Sequence, residues 1–234
     1  MKLFFKRLPG RRLELALASG LPMIFGLMAW LFRSDPRAAQ VMVFTLEILL
    51  PVLAAIAAAG MLAGDPGLEL LLTSPHPPRR TCWERILRLW LLSGVAALAL
   101  VSIAAAGEIA LPVHGLDTIF IWLPPLVFLS GLGSLAALLR GRLLAGALAV
   151  SSFALAGYFA GRWINGLCAI AGAGIACPYS LAIPFTTLSR PFDPYWPLNR
   201  LVWTALGALL LFLALRLADR EEILLNGLSS ENAG

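Results

Sequence analysis

The sequence predicts an all-α integral membrane protein. It has six transmembrane helices, an amphipathic N-terminal helix, a short cytoplasmic helix after the second span and a re-entrant outer hairpin before the last. Three observations carry this reading. Of 234 residues, 59% are apolar and 13% charged, where soluble domains run nearer 45–50% and about 25%. The mean hydropathy is +0.84. Apolar runs of the roughly 20 residues needed to cross about 30 Å of hydrocarbon recur along the chain.

Taken in order, Lys2, Lys6, Arg7, Arg11 and Arg12 make residues 1–12 a basic interfacial segment. The apolar run after it is of span length and leads to no small-x-small cleavage site, so it reads as a span and not as a cleaved signal peptide. The spans run from about Leu13 to Phe32, Val41 to Ala63, Leu89 to Ala106, Ile119 to Leu139, Leu143 to Gly161 and Leu201 to Leu217. Residues 218–234 form a short cytoplasmic tail of mixed charge, which frays in the cytosol.

Orientation follows from the basic residues. With a cytoplasmic N-terminus, inside segments hold thirteen Lys and Arg and outside segments five: Arg33, Arg37, Arg162, Arg190 and Arg200. That is the positive-inside bias, and it places both termini in the cytoplasm of a multi-pass cell-membrane protein. The net charge of +5 is therefore topological, and nucleic acid is excluded as a partner. Trp30, Trp122, Trp163, Trp196 and Trp203 fall near outer span ends, and Trp83 and Trp90 near an inner end. Indole rings favour the headgroup boundary, so these read as an aromatic belt.

The apolar stretch Ile164–Phe185 is either a seventh span or a re-entrant segment, two readings that hydropathy does not separate; the second is favoured because Pro178 and Pro184 interrupt the stretch and a seventh crossing would put Arg216 and Arg220 outside. It reads as a hairpin entering the outer leaflet, within an extracytoplasmic region 162–200. Cys168 and Cys177 are nine apart. A continuous helix would hold them about 13 Å apart, too far for a disulfide, whereas a hairpin permits one.

The loop 64–88 is the most informative segment. Asp65 caps, Pro66 opens and Pro75 ends a helix too short to span and too apolar to lie free in the cytosol. Thr81-Cys82-Trp83-Glu84 reads as a capping box starting the third span, with Glu84 and Arg88 paired four apart. The exposed leucines need cover from headgroups or from a protein groove.

The run Gly67-Leu68-Glu69-Leu70-Leu71-Leu72-Thr73-Ser74-Pro75, directly after the second span, resembles the type-2 permease family of ATP-binding cassette (ABC) exporters. The basic N-terminal segment, the six spans and Tyr195-Trp196-Pro197-Leu198-Asn199-Arg200 before the last span extend the likeness over most of the chain. In size and layout the chain is also similar to the haem-exporter permease subunit of cytochrome c maturation. Gly64-Asp65-Pro66 stands where family members often carry a charged pair. The resemblance implies that Leu68, Glu69, Leu70, Leu71, Leu72, Thr73 and Pro75, with Arg79 and Arg80, form a coupling helix docked on a separate ATPase subunit. It implies that this partner binds ATP and Mg, and that a second permease copy or a similar chain completes the pathway. The function implied is export of an unidentified lipophilic, peptide or drug-like substrate by alternating access.

No Gly-x-x-x-x-Gly-Lys-Ser/Thr phosphate loop occurs, so the chain has no ATP site of that kind and reads as a transport subunit without enzymatic activity or cofactor of its own. An uncoupled structural or channel subunit is the alternative, and it leaves the Leu-rich loop with no role beyond lying on the membrane. Glu47 is the one acidic residue within the body of a span, which marks it for the substrate pathway or for pairing with a neighbouring span. It has no His, Asp or Ser–His partner that would make an intramembrane enzyme, and His76 and His114 are too far apart in sequence and in separate loops to form a metal site.

Overall fold

The computed structural model describes residues 9–63, 78–113, 115–170, 177–189 and 193–218, with side-chain surroundings from Ala18 onward. Among these residues the chain is helical throughout and has no strand. The helices are α1 (Pro9–Leu31), α2 (Arg37–Phe44) running through a π-helical turn (Thr45–Leu49) into α3 (Leu50–Ala63), α4 (Pro78–Ala106), α5 (Ile119–Arg140), α6 (Leu143–Ile170), α7 (Thr186–Ser189) and α8 (Trp196–Ala218). Short 3₁₀ turns lie at Gly115–Thr118 and Pro178–Ala182.

Among the described residues five helices are long and apolar enough to cross a membrane: Arg37–Leu62, Arg79–Ala106, Gly115–Arg140, Leu143–Cys168 and Trp196–Ala218. The chain is an all-α multi-pass membrane protein. The α2–α3 unit and α5 are its centre, with 67% of each apolar window buried, against 22–33% for the others. A helix wrapped by its neighbours has little surface left for lipid, and one on the rim spends most of it there. The rim shows in exposed Leu91, Val95 and Leu98 on α4, Leu148 and Leu155 on α6, and Leu201 and Leu209 on α8.

Lipid tails are as apolar as leucine, so close packing and buried polar contacts hold such helices together. Gly131 of α5 lies against Gly207 of α8 so closely that a Cβ on Gly207 would stand 2.5 Å from the backbone of Phe128. At one end of the bundle, Leu62, Cys82, Ile86, Leu138, Leu211 and Leu215 form a cluster joining the ends of α3, α4, α5 and α8. Arg85 reaches the Met61 carbonyl oxygen at 3.5 Å, and Arg79 and Arg216 both stack on the Phe212 ring. At the opposite end Gly107, just after α4, packs on Trp30 of α1.

Several sequence expectations change. Helix α6, expected to end at Gly161, runs to Ile170, so Ile164–Ile170 are its last two turns and not the first limb of a separate element. Its 28 residues rise about 42 Å, well over the hydrocarbon thickness. Helix α4 starts at Pro78, so Thr81 lies within its first turn and is not a cap; Pro78 suits a first position because its missing N–H would have no partner there. Glu84 does lie between two arginines, 3.2 Å from Arg80 and 3.9 Å from Arg88, though in exposed positions where such pairs contribute little. Trp122, Trp196 and Trp203 are buried in the bundle and do not form a headgroup belt. Their large rings fill the core; the indole N–H groups of Trp196 and Trp203 find partners there. Trp163, by contrast, is 74% exposed.

Candidate functional site

The π-helical turn has a cause in the sequence. Pro51 has no N–H to give the carbonyl of Glu47, and its ring crowds that carbonyl. The helix widens, and the Leu50 N–H bonds to the Thr45 carbonyl, five residues back. Thr45 returns its hydroxyl to the Val41 carbonyl at 2.7 Å. Such turns gather at functional sites; this one holds Glu47 fully buried.

The partner of Glu47 comes from the far end of the chain. Asp193 accepts the Tyr195 N–H at 2.9 Å and Pro197 takes the second position of α8, so the helix opens with one turn exposing Trp196, Asn199 and Arg200 to the same neighbours. Arg200, 1% exposed, donates to Glu47 Oε1 and to Thr187 Oγ1 through one guanidinium nitrogen, and through the other to the Pro184 carbonyl at 2.9 Å. Its plane also lies 5.4 Å from the Trp196 ring centre.

Glu47 is met from a second side. The backbone N–H groups of Thr187 and Leu188 donate to its Oε1 and Oε2, each at 2.8 Å. Glu47 thus caps the first turn of α7, satisfying donors that have no partner within a helix. Trp196 Nε1 donates to Thr187 Oγ1 at 3.0 Å. Asn199, fully buried, donates to the carbonyls of Ser180 at 2.9 Å and Ile183 at 2.7 Å, and accepts the Thr186 hydroxyl at 3.2 Å. Trp203 Nε1 reaches the Leu181 carbonyl at 3.2 Å.

Together these groups tie the returning segment Cys177–Ser189 to α2–α3 on one side and α8 on the other. A buried charge is tolerated only when paired and hydrogen-bonded, and here both carboxylate oxygens and both terminal guanidinium nitrogens have partners. Segment and α6 are also linked covalently. Cys168 and Cys177 are disulfide-bonded, with Cα atoms 6.0 Å apart. Phe185 then lies on Gly157 of α6, where a Cβ would stand 2.9 Å from the ring.

Of the residues singled out from sequence, Glu47 is therefore brought together with a neighbouring span, and Cys168 with Cys177. Arg79 and Arg80 start α4 at the arginine-rich end of the bundle. Leu68, Glu69, Leu70, Leu71, Leu72, Thr73 and Pro75 lie outside the described residues. Arg200, Asn199, Thr186 and Thr187 were missed as site residues. Arg200 counts as an outside charge on sequence, yet it stands in the second turn of the last spanning helix at a depth matching the lone acid of the second. That match was the available signal. No family model, no curated protein and no solved structure matches the chain.

Proposed function

We propose that this chain is the membrane-spanning permease subunit of an ATP-driven exporter of the ABC type-2 class. It crosses the bilayer six times, α1 being the first crossing, with both termini cytoplasmic. A partner subunit binds ATP and Mg and docks on residues 68–75; a second permease copy or a similar chain completes the pathway for an unidentified substrate. The observation that carries this reading is the Leu68–Pro75 run. It joins α3 to α4 at the end of the bundle where Arg79, Arg80, Arg85, Arg88, Arg140, Arg142 and Arg216 collect.

Two features add support. That arginine-rich end has the cytoplasmic signature. The segment Cys177–Ser189 turns back from the tip of α6 to the level of Gly157, as an outer-leaflet re-entrant hairpin would, and its irregular backbone is covered by protein. Alternating access then consists of ATPase closure pushing on Glu69 and Leu70–Leu72, with α3 and α4 carrying the motion into the bundle.

The test is co-purification followed by uncoupling. Solubilised under mild conditions, the native chain should bring an ATPase subunit with it, and Glu69→Arg should leave ATP hydrolysis running while transport falls about tenfold or more. A chain that purifies alone, or full transport by the Glu69→Arg variant, overturns the assignment.

A further inference from the structure

A cavity of about 420 Å³ opens between α1, α2, α6 and the returning segment. Its size is within the usual range for small-molecule sites. Its lining divides by chemistry: Phe25, Phe44 and Leu188 are apolar, while Gln40, Asn165 and Arg162 bring two amides and a guanidinium. Leu188 belongs to the turn that Glu47 caps, so the polar contacts described above fix this wall.

Arg162 is the unusual member. It is exposed, and among the described residues it has no ion pair. It stands eight residues before the end of α6, about 12 Å below the tip, while Gln40 lies three residues inside Arg37, about 4.5 Å. The cavity is therefore at the boundary between headgroups and hydrocarbon. An uncompensated cation there is costly and attracts an anion. A guanidinium matches the geometry of a phosphate, which it grips with two parallel N–H donors.

A second recess, about 540 Å³, is lined by Phe159, Ala160, Arg162 and Trp163. It shares Arg162 with the cavity and is otherwise apolar, and Phe159 and Trp163 are 57% and 74% exposed. One guanidinium thus serves a cavity of mixed lining, with two amides beside it, on one side and an apolar track on the lipid-facing side of the same helix. A free phosphate would use only the first; a molecule with a phosphate head and an acyl tail uses both.

We infer that this is a binding site for a phospholipid of the leaflet at the Arg33–Arg37 end of the bundle. Its phosphate is held by Arg162 with Gln40 and Asn165, and its acyl chain runs along Phe159 and Trp163. The inference does not depend on the exporter reading, since it concerns retention of a lipid and not transport.

The test is native mass spectrometry of the full chain in non-ionic detergent, titrated separately with phosphatidylglycerol, phosphatidylcholine, diacylglycerol and inorganic phosphate. Both phospholipids should leave one retained molecule per chain, and diacylglycerol, which lacks the phosphate, should not. Arg162→Gln should weaken retention about tenfold, with Arg162→Lys recovering part of it. Arg33→Gln, which removes another arginine at the same end of the bundle, should change nothing. Because Arg162 is exposed, all variants should keep the parental thermal unfolding midpoint. Diacylglycerol bound as tightly as phospholipid, or retention indifferent to Arg162→Gln, overturns the site. Inorganic phosphate that binds alone and displaces the phospholipid shows a plain anion site and overturns the lipid assignment.

Discussion

Helix α8 is held to the bundle in two ways within two turns of itself. At Gly207 nothing but backbone meets backbone, across to Gly131 and Phe128 of α5. At Arg200 a long charged side chain reaches past Thr187 to Glu47, and no glycine is involved. The first contact is short-range, apolar and insensitive to charge. The second is a buried ion pair with a helix cap and contacts to four carbonyls, those of Ser180, Leu181, Ile183 and Pro184, around it, and it holds a segment made only of short turns. The difference follows from what each contact has to satisfy. Two complete helices have no unpaired backbone groups in their middles, so close approach suffices. The stretch from Cys177 to Ser189 has many, and side chains of Glu47, Asn199, Arg200 and Trp203 supply partners its own turns do not.

The comparison can be broken from either side. Arg200→Met should have the largest effect, about 4 kcal/mol of destabilisation, since it leaves Glu47 buried with a charge and no cation. The double variant Glu47→Met/Arg200→Met should cost much less than the sum of the two single changes, because the uncompensated charge is gone. A double-mutant cycle measured by reversible unfolding in mixed micelles checks this, and additive costs would show the pair to be uncoupled. Gly207→Val should cost about 3 kcal/mol, because the added carbons meet the Phe128 backbone, which cannot swing aside as a side chain can. It should leave the Glu47–Arg200 coupling intact, and a coupling that vanished with it would mean that the two contacts form one unit. Removing the disulfide with Cys168→Ser/Cys177→Ser should be the mildest, about 2 kcal/mol for so short a loop. Its signature is local: faster amide exchange in Cys177–Ser189 with the helices around Gly207 unchanged.

How much of this was legible beforehand depends on the range of the forces involved. The membrane-crossing character came from composition and hydropathy runs, which sum over twenty residues and tolerate errors at any one; five of the six expected spans are long and apolar enough to cross among the described residues. The end of α6 was misjudged because Arg162 and Asn165 resemble a boundary, although nothing stops a helix from rising past the bilayer surface into water. The belt reading failed for Trp196 and Trp203 since an indole near a span end is equally well served by a buried carbonyl or hydroxyl as by a headgroup.

By itself the sequence determined that the chain is helical, that it lives in a membrane, and where five of its crossing segments lie. It also marked Glu47 as the one acid within the body of a span, for the substrate pathway or for pairing with a neighbouring span. The tertiary structure decided what meets Glu47. Its partner lies 153 residues away, and the N–H groups it caps lie 140 and 141 residues away. Pairing of that kind is set by the depth and rotation of helices packed side by side. Hydrophobicity fixes their length and leaves rotation to the few glycines, prolines and buried polar groups that break it.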